Sequence, residues 1–222
     1  MATRSKYSVS GAATWETRLV AAPPEPTPAD SSTPDPLPSS PVTTAQLDAG
    51  LDDVRSAPAD RGRVELIVAR PATDRRTLLD RGRLDPAVGL VVDTWAERPS
   101  SRTADGSAHP DMALTLMNAR FARLLAGEPH RWALAGDQLY VDLDLSTANL
   151  PPGTRLSVGE AVVEITDQPH TGCAKFRRRF GADALRYVNA PEGRRLNLRG
   201  VNARVLEGGR VAVGDVIEKA TG

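Results

Sequence analysis

The sequence predicts a β-rich α+β domain, and three observations carry that expectation. Apolar runs are short, and several alternate apolar with polar residues, which is the period of a half-buried strand. Turns containing Gly or Pro separate these runs at close intervals. Only two stretches place apolar residues at helical spacing. Together they outline one domain of about 160 residues, an ordinary size.

Residues 1–42 stand apart. Eight prolines fall between residues 21 and 42, with Ser, Thr, Asp and Glu among them. Proline removes an amide donor, and so polar a stretch buries too little to offset chain entropy. A disordered, Pro-rich N-terminal extension is expected over 1–42, and a folded domain over 43–222.

The elements follow in order. Thr43 or Thr44 suits a helix N-cap, and Leu47, Leu51 and Val54 line one helical face before Pro58. Residues 64–68 (Val-Glu-Leu-Ile-Val) read as a strand rich in β-branched residues. A charged turn follows through Arg75, Arg76 and Asp80, and residues 84–95 bend through Pro86 and Gly89 into a further strand. Residues 100–110 form a polar loop, and residues 114–116 a short strand. A helix over 118–125 presents Phe121, Leu124 and Leu125 and ends at Gly127 and Pro129. Residues 139–145 alternate as a strand, Pro151-Pro152-Gly153 turns, and 155–158 and 161–165 are two more strands around Gly159. At the end, 201–206 and 210–217 are expected to pair as a hairpin through Glu207-Gly208-Gly209.

Bulk composition excludes several functions. The chain carries 28 Lys+Arg and 28 Asp+Glu, so its formal net charge is zero, unlike a generic nucleic-acid binder. Its single cysteine permits no intramolecular disulfide and fits a reducing compartment. No apolar run approaches the roughly 20 residues that span a membrane. The first residues lack the apolar stretch of a signal peptide. A soluble, cytoplasmic protein is expected, with no nucleic acid or membrane among its partners.

The chemistry concentrates at residues 170–180, which hold the sole thiol, Cys173, after His170-Thr171-Gly172 and before Lys175, Arg177, Arg178 and Arg179. The thiolate is both the nucleophile and the metal-ligating form, and neighbouring cations favour it. Between His170 and Arg204 nine Lys/Arg face only Asp183 and Glu192. Such a region concentrates anionic ligands, and guanidinium groups grip phosphate bidentately. Simpler readings stand beside these: an inert buried thiol, a solvated basic helix face, and a His170 that only hydrogen-bonds its own loop. Structural zinc is not expected, since His109 and His130 are the only other histidines and no second cysteine exists. A Cys–His nucleophilic pair is a further possibility at this spacing. The sequence has no Gly-rich nucleotide motif, no G-x-S-x-G and no H-E-x-x-H.

Four segments carry a family resemblance: residues 139–145; Leu150-Pro151-Pro152-Gly153-Thr154-Arg155-Leu156; residues 162–166; and His170-Thr171-Gly172-Cys173. They resemble the MOSC domain, the module named from the C-terminal part of molybdenum cofactor sulfurase. The continuation through Arg186-Tyr187-Val188-Asn189, Gly193-Arg194-Arg195 and residues 199–204 is similar to a bacterial stand-alone branch. The resemblance implies a partly closed β-barrel with peripheral helices. It also implies a molybdenum cofactor, a phosphate-bearing pterin dithiolene, with Cys173 as the protein's ligand to the metal. A soft thiolate suits such a metal.

Proximity to Cys173 and chemistry nominate His170, Lys175, Arg177, Arg178, Arg194 and Arg195 for the cofactor. Thr171 and Asn189 are nominated to position an oxo group or a water. Some relatives reduce N-hydroxylated compounds and others are thought to carry sulfur on the cysteine. The expected function is therefore an oxo-transfer reductase of N-hydroxylated or N-oxide small molecules, served by a separate electron donor. The alternatives are a Cys173 persulfide carrier served by a cysteine desulfurase and a non-enzymatic anion-binding module. Pyridoxal phosphate belongs to the desulfurase partner. Where family members often show Gly-Asp, this chain has Val92-Asp93. The separate N-terminal β-barrel domain of the amidoxime-reducing enzymes is not expected here.

Overall fold

The structure, a computed structural model, describes residues 41–220. The expected N-terminal extension therefore lies outside the described residues up to residue 40, while Val42 packs against the helical core. The described residues all fall in the unit that spans Pro34–Gly222.

Helix α1 (Thr44–Arg55) begins with a reciprocal cap: the Gln46 amide donates to Thr43 Oγ1, and the Thr43 amide donates to Gln46 Oε1. Strands β1 (Arg61–Ala69), β2 (Thr77–Leu79), β3 (Arg81–Asp85) and β4 (Gly89–Leu90) come next. Then β5 (Leu114–Asn118) leads into α2 (Ala119–Ala126) and α3 (Pro129–Trp132). A 3-10 turn at Ala133–Ala135 precedes β6 (Leu139–Asp142), β7 (Arg155–Val158) and β8 (Ala161–Ile165). The chain ends through α4 (Ala174–Asn189), α5 (Pro191–Arg195), β9 (Val201–Glu207), β10 (Gly209–Ala212) and β11 (Val216–Lys219).

Seven strands close into a barrel in the order β11, β7, β8, β9, β5, β6, β1, sealed by the β1–β11 pairing. All pairs are antiparallel except β5–β6. A parallel pair needs a crossover connection, and α2 and α3 supply it on the barrel's outer wall. Inside, Val64, Ile67, Leu116, Leu139, Val141, Val163 and Ala203 form one apolar cluster. Outside, Leu66, Val68, Met117 and Tyr140 pack beneath Leu47, Phe121, Phe176 and Phe180 in a second. A register shift in β1 between Val64 and Leu66 makes this two-sided burial possible. One extra residue moves the next side chain to the opposite face. The strand's exposed outer face (Arg61, Arg63, Glu65) therefore gives way to an apolar one that the helices cover.

The expected terminal hairpin does not form. Both edges of β9 are taken, by β5 and β8. The chain instead crosses to a three-stranded sheet, β10-β3-β4, where Val211 is fully buried and Gly209 pairs with Leu84. Strand β11 then closes the barrel against β1 and β7. Helix α4 was masked in the sequence by its arginines, yet Phe176, Phe180, Ala184 and Val188 recur every fourth residue and are buried. The backbone breaks inside it at Gly181, where φ is 93°. Among the described residues no helix is long and apolar enough to cross a membrane.

Gly62 marks the closure of β1 on β6: a Cβ there would lie 1.8 Å from the Asp142 carbonyl oxygen. Backbone cannot yield as a flexible side chain does. Gly62→Ala is expected to cost about 3 kcal/mol or more, measured by urea unfolding. A loss under about 1 kcal/mol would show that the barrel seam is looser than described.

Candidate functional site

The site is organised by one turn on the outer wall of the barrel. Four consecutive carbonyls, residues 133–136, each accept from a different arginine. Arg76 Nε donates to Ala133 O at 3.2 Å and Arg179 Nη1 to Leu134 O at 2.8 Å. Arg199 Nη2 donates to Ala135 O at 2.8 Å and Arg70 Nη1 to Gly136 O at 2.9 Å. The end of a short helical turn leaves such carbonyls short of intrahelical partners, and the arginines supply them; Ala133 O also accepts from the Gly136 amide at 3.1 Å. They arrive from four places: the end of β1, the loop before β2, α4, and the loop into β9.

Carbonyls are neutral, so holding these guanidiniums in place does not cancel their charge. Asp93, whose side chain has no exposed surface, takes Arg70 in a two-pronged pair at 2.7 and 2.9 Å. Asp137, equally buried, takes Arg199 at 2.6 Å. Arg179 meets half-exposed Asp74 at 2.8 Å. Arg76 and Arg98 have no carboxylate within salt-bridge distance among the described residues; Arg98 only donates to Thr94 Oγ1. Burial, then the neighbouring Arg179 and Arg70, holds Arg76 below its ordinary pKa, and burial and Arg70 do the same to Arg98. Five guanidiniums thus face three carboxylates, and the Nε atoms of Arg179 and Arg199 are buried without partners. A partly desolvated excess of positive charge favours an anion over a neutral or cationic group.

Cys173 borders this cluster. Arg199 lies 5.2 Å over the Phe176 ring, three residues after the thiol, and pairs with Asp137. Asp137 Oδ1 in turn lies 3.5 Å from Nδ1 of His170, three residues before it. The thiol is exposed and stands at the N-cap of α4. Asn189 clamps the preceding peptide from both sides: its Oδ1 accepts from the Gly172 amide at 3.0 Å and its Nδ2 donates to the Gly172 carbonyl at 3.2 Å. Gly172 fits there because a Cβ would come within 2.8 Å of Leu185 and 2.9 Å of Val188.

The other residues expected from sequence are placed as follows. Thr171, Lys175, Arg177 and Arg178 are exposed around the thiol, Lys175 with its Nζ 4.0 Å from Asp74. Arg194 donates to the Asn189 carbonyl, and Arg195 pairs with Glu192 on α5, which also takes Arg55. The structure brings His170, Asn189 and Lys175 to the site and leaves Arg195 in a surface network. Sequence reasoning missed Arg70, Arg76, Arg98, Arg179 as a cluster member, Arg199, Asp93 and Asp137. Their linear signals were weak: Arg179 and Arg199 belong to the basic stretch over 170–204, Arg76 to a charged turn, and Asp93 follows Val92. A separate groove of about 570 Å³, lined by Gly159, Glu160, Arg210 and Asp215 among others, contains none of these residues.

The Val92-Asp93 pair closes a turn, with the Asp93 amide donating to the Leu90 carbonyl at 3.0 Å. Val92 has φ of 72° and is 63% exposed. That backbone favours glycine and strains a β-branched residue. The turn survives because Asp93 is held by Arg70 and by the Trp95 amide.

Comparison with known proteins agrees with the architecture. The family model described as the MOSC domain matches residues 108–218. The YuaD protein from Bacillus subtilis superposes with a TM-score of 0.53 at 16% identity, covering 73% of this chain and 97% of that one. A crystal structure titled only as a hypothetical protein gives 0.53 at 22% identity, covering 77% and 72%. These likenesses concern the fold. No curated protein matches the sequence.

Two expectations follow from this geometry. Val92→Gly relieves the strained turn and is expected to stabilise the protein by about 1 kcal/mol, read by chemical unfolding; a destabilised variant would show that the Val92 side chain is held by contacts. Burial, then Arg199, depresses the His170 pKa to about 3. Between that value and the unfolded value of 6.5 the unfolded chain binds the extra proton, so stability is full above 6.5 and falls as the pH drops. Moving from pH 7 to 5 is expected to cost wild type about 2 kcal/mol more than it costs His170→Gln. Equal pH dependence in both would mean that His170 is solvated.

Proposed function

Since the chain belongs to the MOSC domain family, which is associated with the molybdenum cofactor, we propose that it binds that cofactor through Cys173 and the arginine cluster and reduces N-hydroxylated small molecules by oxo transfer. One observation carries this reading: five guanidiniums face three carboxylates, and one of the five, Arg199, lies over Phe176, three residues after the only thiol of the chain.

The residues present fit such a group. Among the described residues no three His, Cys, Asp or Glu side chains gather as a metal site. A metal at Cys173 therefore needs most of its ligands from a bound molecule, which a dithiolene supplies. Arg76 and Arg98, which have no carboxylate partner among the described residues, would hold the phosphate end, whose two negative charges match the cluster's excess of two. When bound, the cofactor supplies a metal centre that accepts an oxygen atom and cycles electrons. The chain's own work is to orient and neutralise. The 133–136 carbonyls fix the arginines before any ligand arrives, so little reorganisation is needed on binding. The Asn189 clamp sets the backbone from which the Cys173 side chain projects. Thr171 and Lys175, both exposed and each two residues from Cys173, would meet an incoming substrate. Electrons come from a separate donor, and a cytoplasmic location suits the free thiol.

The exposure of Cys173 favours a second reading, a persulfide carrier loaded by a cysteine desulfurase. Wild type, Cys173→Ser and Arg76→Ala/Arg98→Ala are to be expressed in a cofactor-producing host and assayed for molybdenum and extractable pterin. Near-stoichiometric metal in wild type, altered metal binding in Cys173→Ser and at least tenfold less pterin in the double variant are expected. Metal-free wild type that forms a Cys173 persulfide on incubation with a desulfurase would transfer the assignment to sulfur carriage. Neither metal nor adduct would leave an anion-binding module.

A further inference from the structure

Asp137 and His170 form an arrangement that cofactor binding alone does not require. Asp137 is fully buried, and its two oxygens serve different neighbours: Oδ2 accepts from Arg199 at 2.6 Å, and Oδ1 faces His170 Nδ1 at 3.5 Å. Neither Asp137 Oδ1 nor His170 Nδ1 makes a hydrogen bond in this geometry, and both are closed to solvent, so each is the polar group that the other faces. Room for the carboxylate comes from Gly200 (φ 102°), where a Cβ would lie 3.3 Å from Oδ1 and 2.4 Å from the Leu116 carbonyl.

A carboxylate only accepts, so the ring nitrogen that faces it carries the proton. The His170 side chain keeps 15% of its surface, and Nε2 is not among the buried, unpartnered atoms. The outward nitrogen is therefore an unprotonated lone pair, presented three residues before the exposed thiol and beside Arg199. Most of what the cluster offers is a donor. This lone pair is a neutral acceptor with no proton of its own, while the open carboxylate of the cluster, Asp74, is engaged by Arg179.

We propose that His170 Nε2 is the hydrogen-bond acceptor for the O–H or N–H of the small molecule bound against Cys173, and that Asp137 is the positioning residue that fixes its tautomer. The inference rests on the proposed function and narrows its substrate class. An N-hydroxylated compound brings an O–H to the lone pair. An N-oxide brings only an acceptor oxygen, which Nε2 repels, so the site selects the former. Sites built for a hydrogen bond discriminate strongly against analogues that cannot make it.

The test is a titration of protein from a cofactor-producing host with N-phenylhydroxylamine and with pyridine N-oxide, followed by the ¹⁵N resonances of His170, with molybdenum measured in the same sample. The expected result is an Nδ1-protonated ring whose Nε2 resonance moves upfield and saturates with the hydroxylamine but not with the N-oxide. His170→Leu should weaken hydroxylamine binding about tenfold at unchanged metal content, the worth of one hydrogen bond. Asp137→Asn can donate to Nδ1, placing the proton on Nε2 and reversing the preference toward the N-oxide. Asp137→Glu should retain the wild-type order. Should the buried Arg199 left by Asp137→Asn prevent folding, the wild-type titration and His170→Leu still decide. An Nε2-protonated ring in wild type, or equal responses to both probes, overturns the proposal. Metal-free protein that shows the selective shift fails the functional reading and not the His170 assignment. Metal-loaded protein without the shift does the reverse.

Discussion

Four neutral carbonyls hold four cations, and the rest of the site depends on that mismatch. The 133–136 turn collects Arg76, Arg179, Arg199 and Arg70 from segments far apart in the chain. Carboxylates in those positions would have bound the guanidiniums more tightly and consumed their charge. Carbonyl dipoles fix direction and leave the field intact, which is the requirement for a site that stabilises an incoming anion without rearranging. Asp93 and Asp137 neutralise only the two most buried arginines, where an unpaired charge would be too costly.

The barrel makes this turn possible. Parallel pairing of β5 with β6 obliges the chain to leave the sheet after Asn118 and return before Leu139. The returning segment is the one that exposes its carbonyls on the outer wall. The bulge in β1 turns Leu66 and Val68 toward the same wall, where they pack with residues of α2 and α4. Helix α4 then does two jobs. Phe176 and Phe180 anchor it to the wall, and its first residue follows Cys173. The thiol is thus rigidly carried yet exposed, a combination that fits ligand binding or sulfur chemistry and does not fit an inert core residue.

Val92 illustrates how the site tolerates local strain. The turn needs a positive φ and the sequence offers a β-branched residue. Asp93 holds the turn through its pair with Arg70, so the interaction that neutralises one arginine also restrains the backbone where glycine would have served alone. Coupling of this kind makes the cluster's members non-additive on mutation.

Much of the fold was legible in the linear chain. The Thr43 cap, the Asn118 helix start, and the strands over 64–68, 155–158 and 161–165 follow from local spacing and turn chemistry, which act within a few residues. The thiol and its cationic setting were legible for the same reason, since His170 through Arg179 is a continuous segment. The pairing of β10 was not, because which strand edges remain free depends on the whole barrel. Nor was the arginine cluster. Arg194 and Arg195 are near Cys173 in sequence, and Arg195 is spent in a surface pair with Glu192; Arg70 and Arg76 lie about a hundred residues away and meet at one turn. Sequence by itself determined the helix caps, most of the strands and the place of the one thiol. Tertiary structure alone decided which cations keep an unspent charge and which histidine nitrogen faces outward, since both depend on carbonyls and carboxylates that only folding brings within hydrogen-bonding distance.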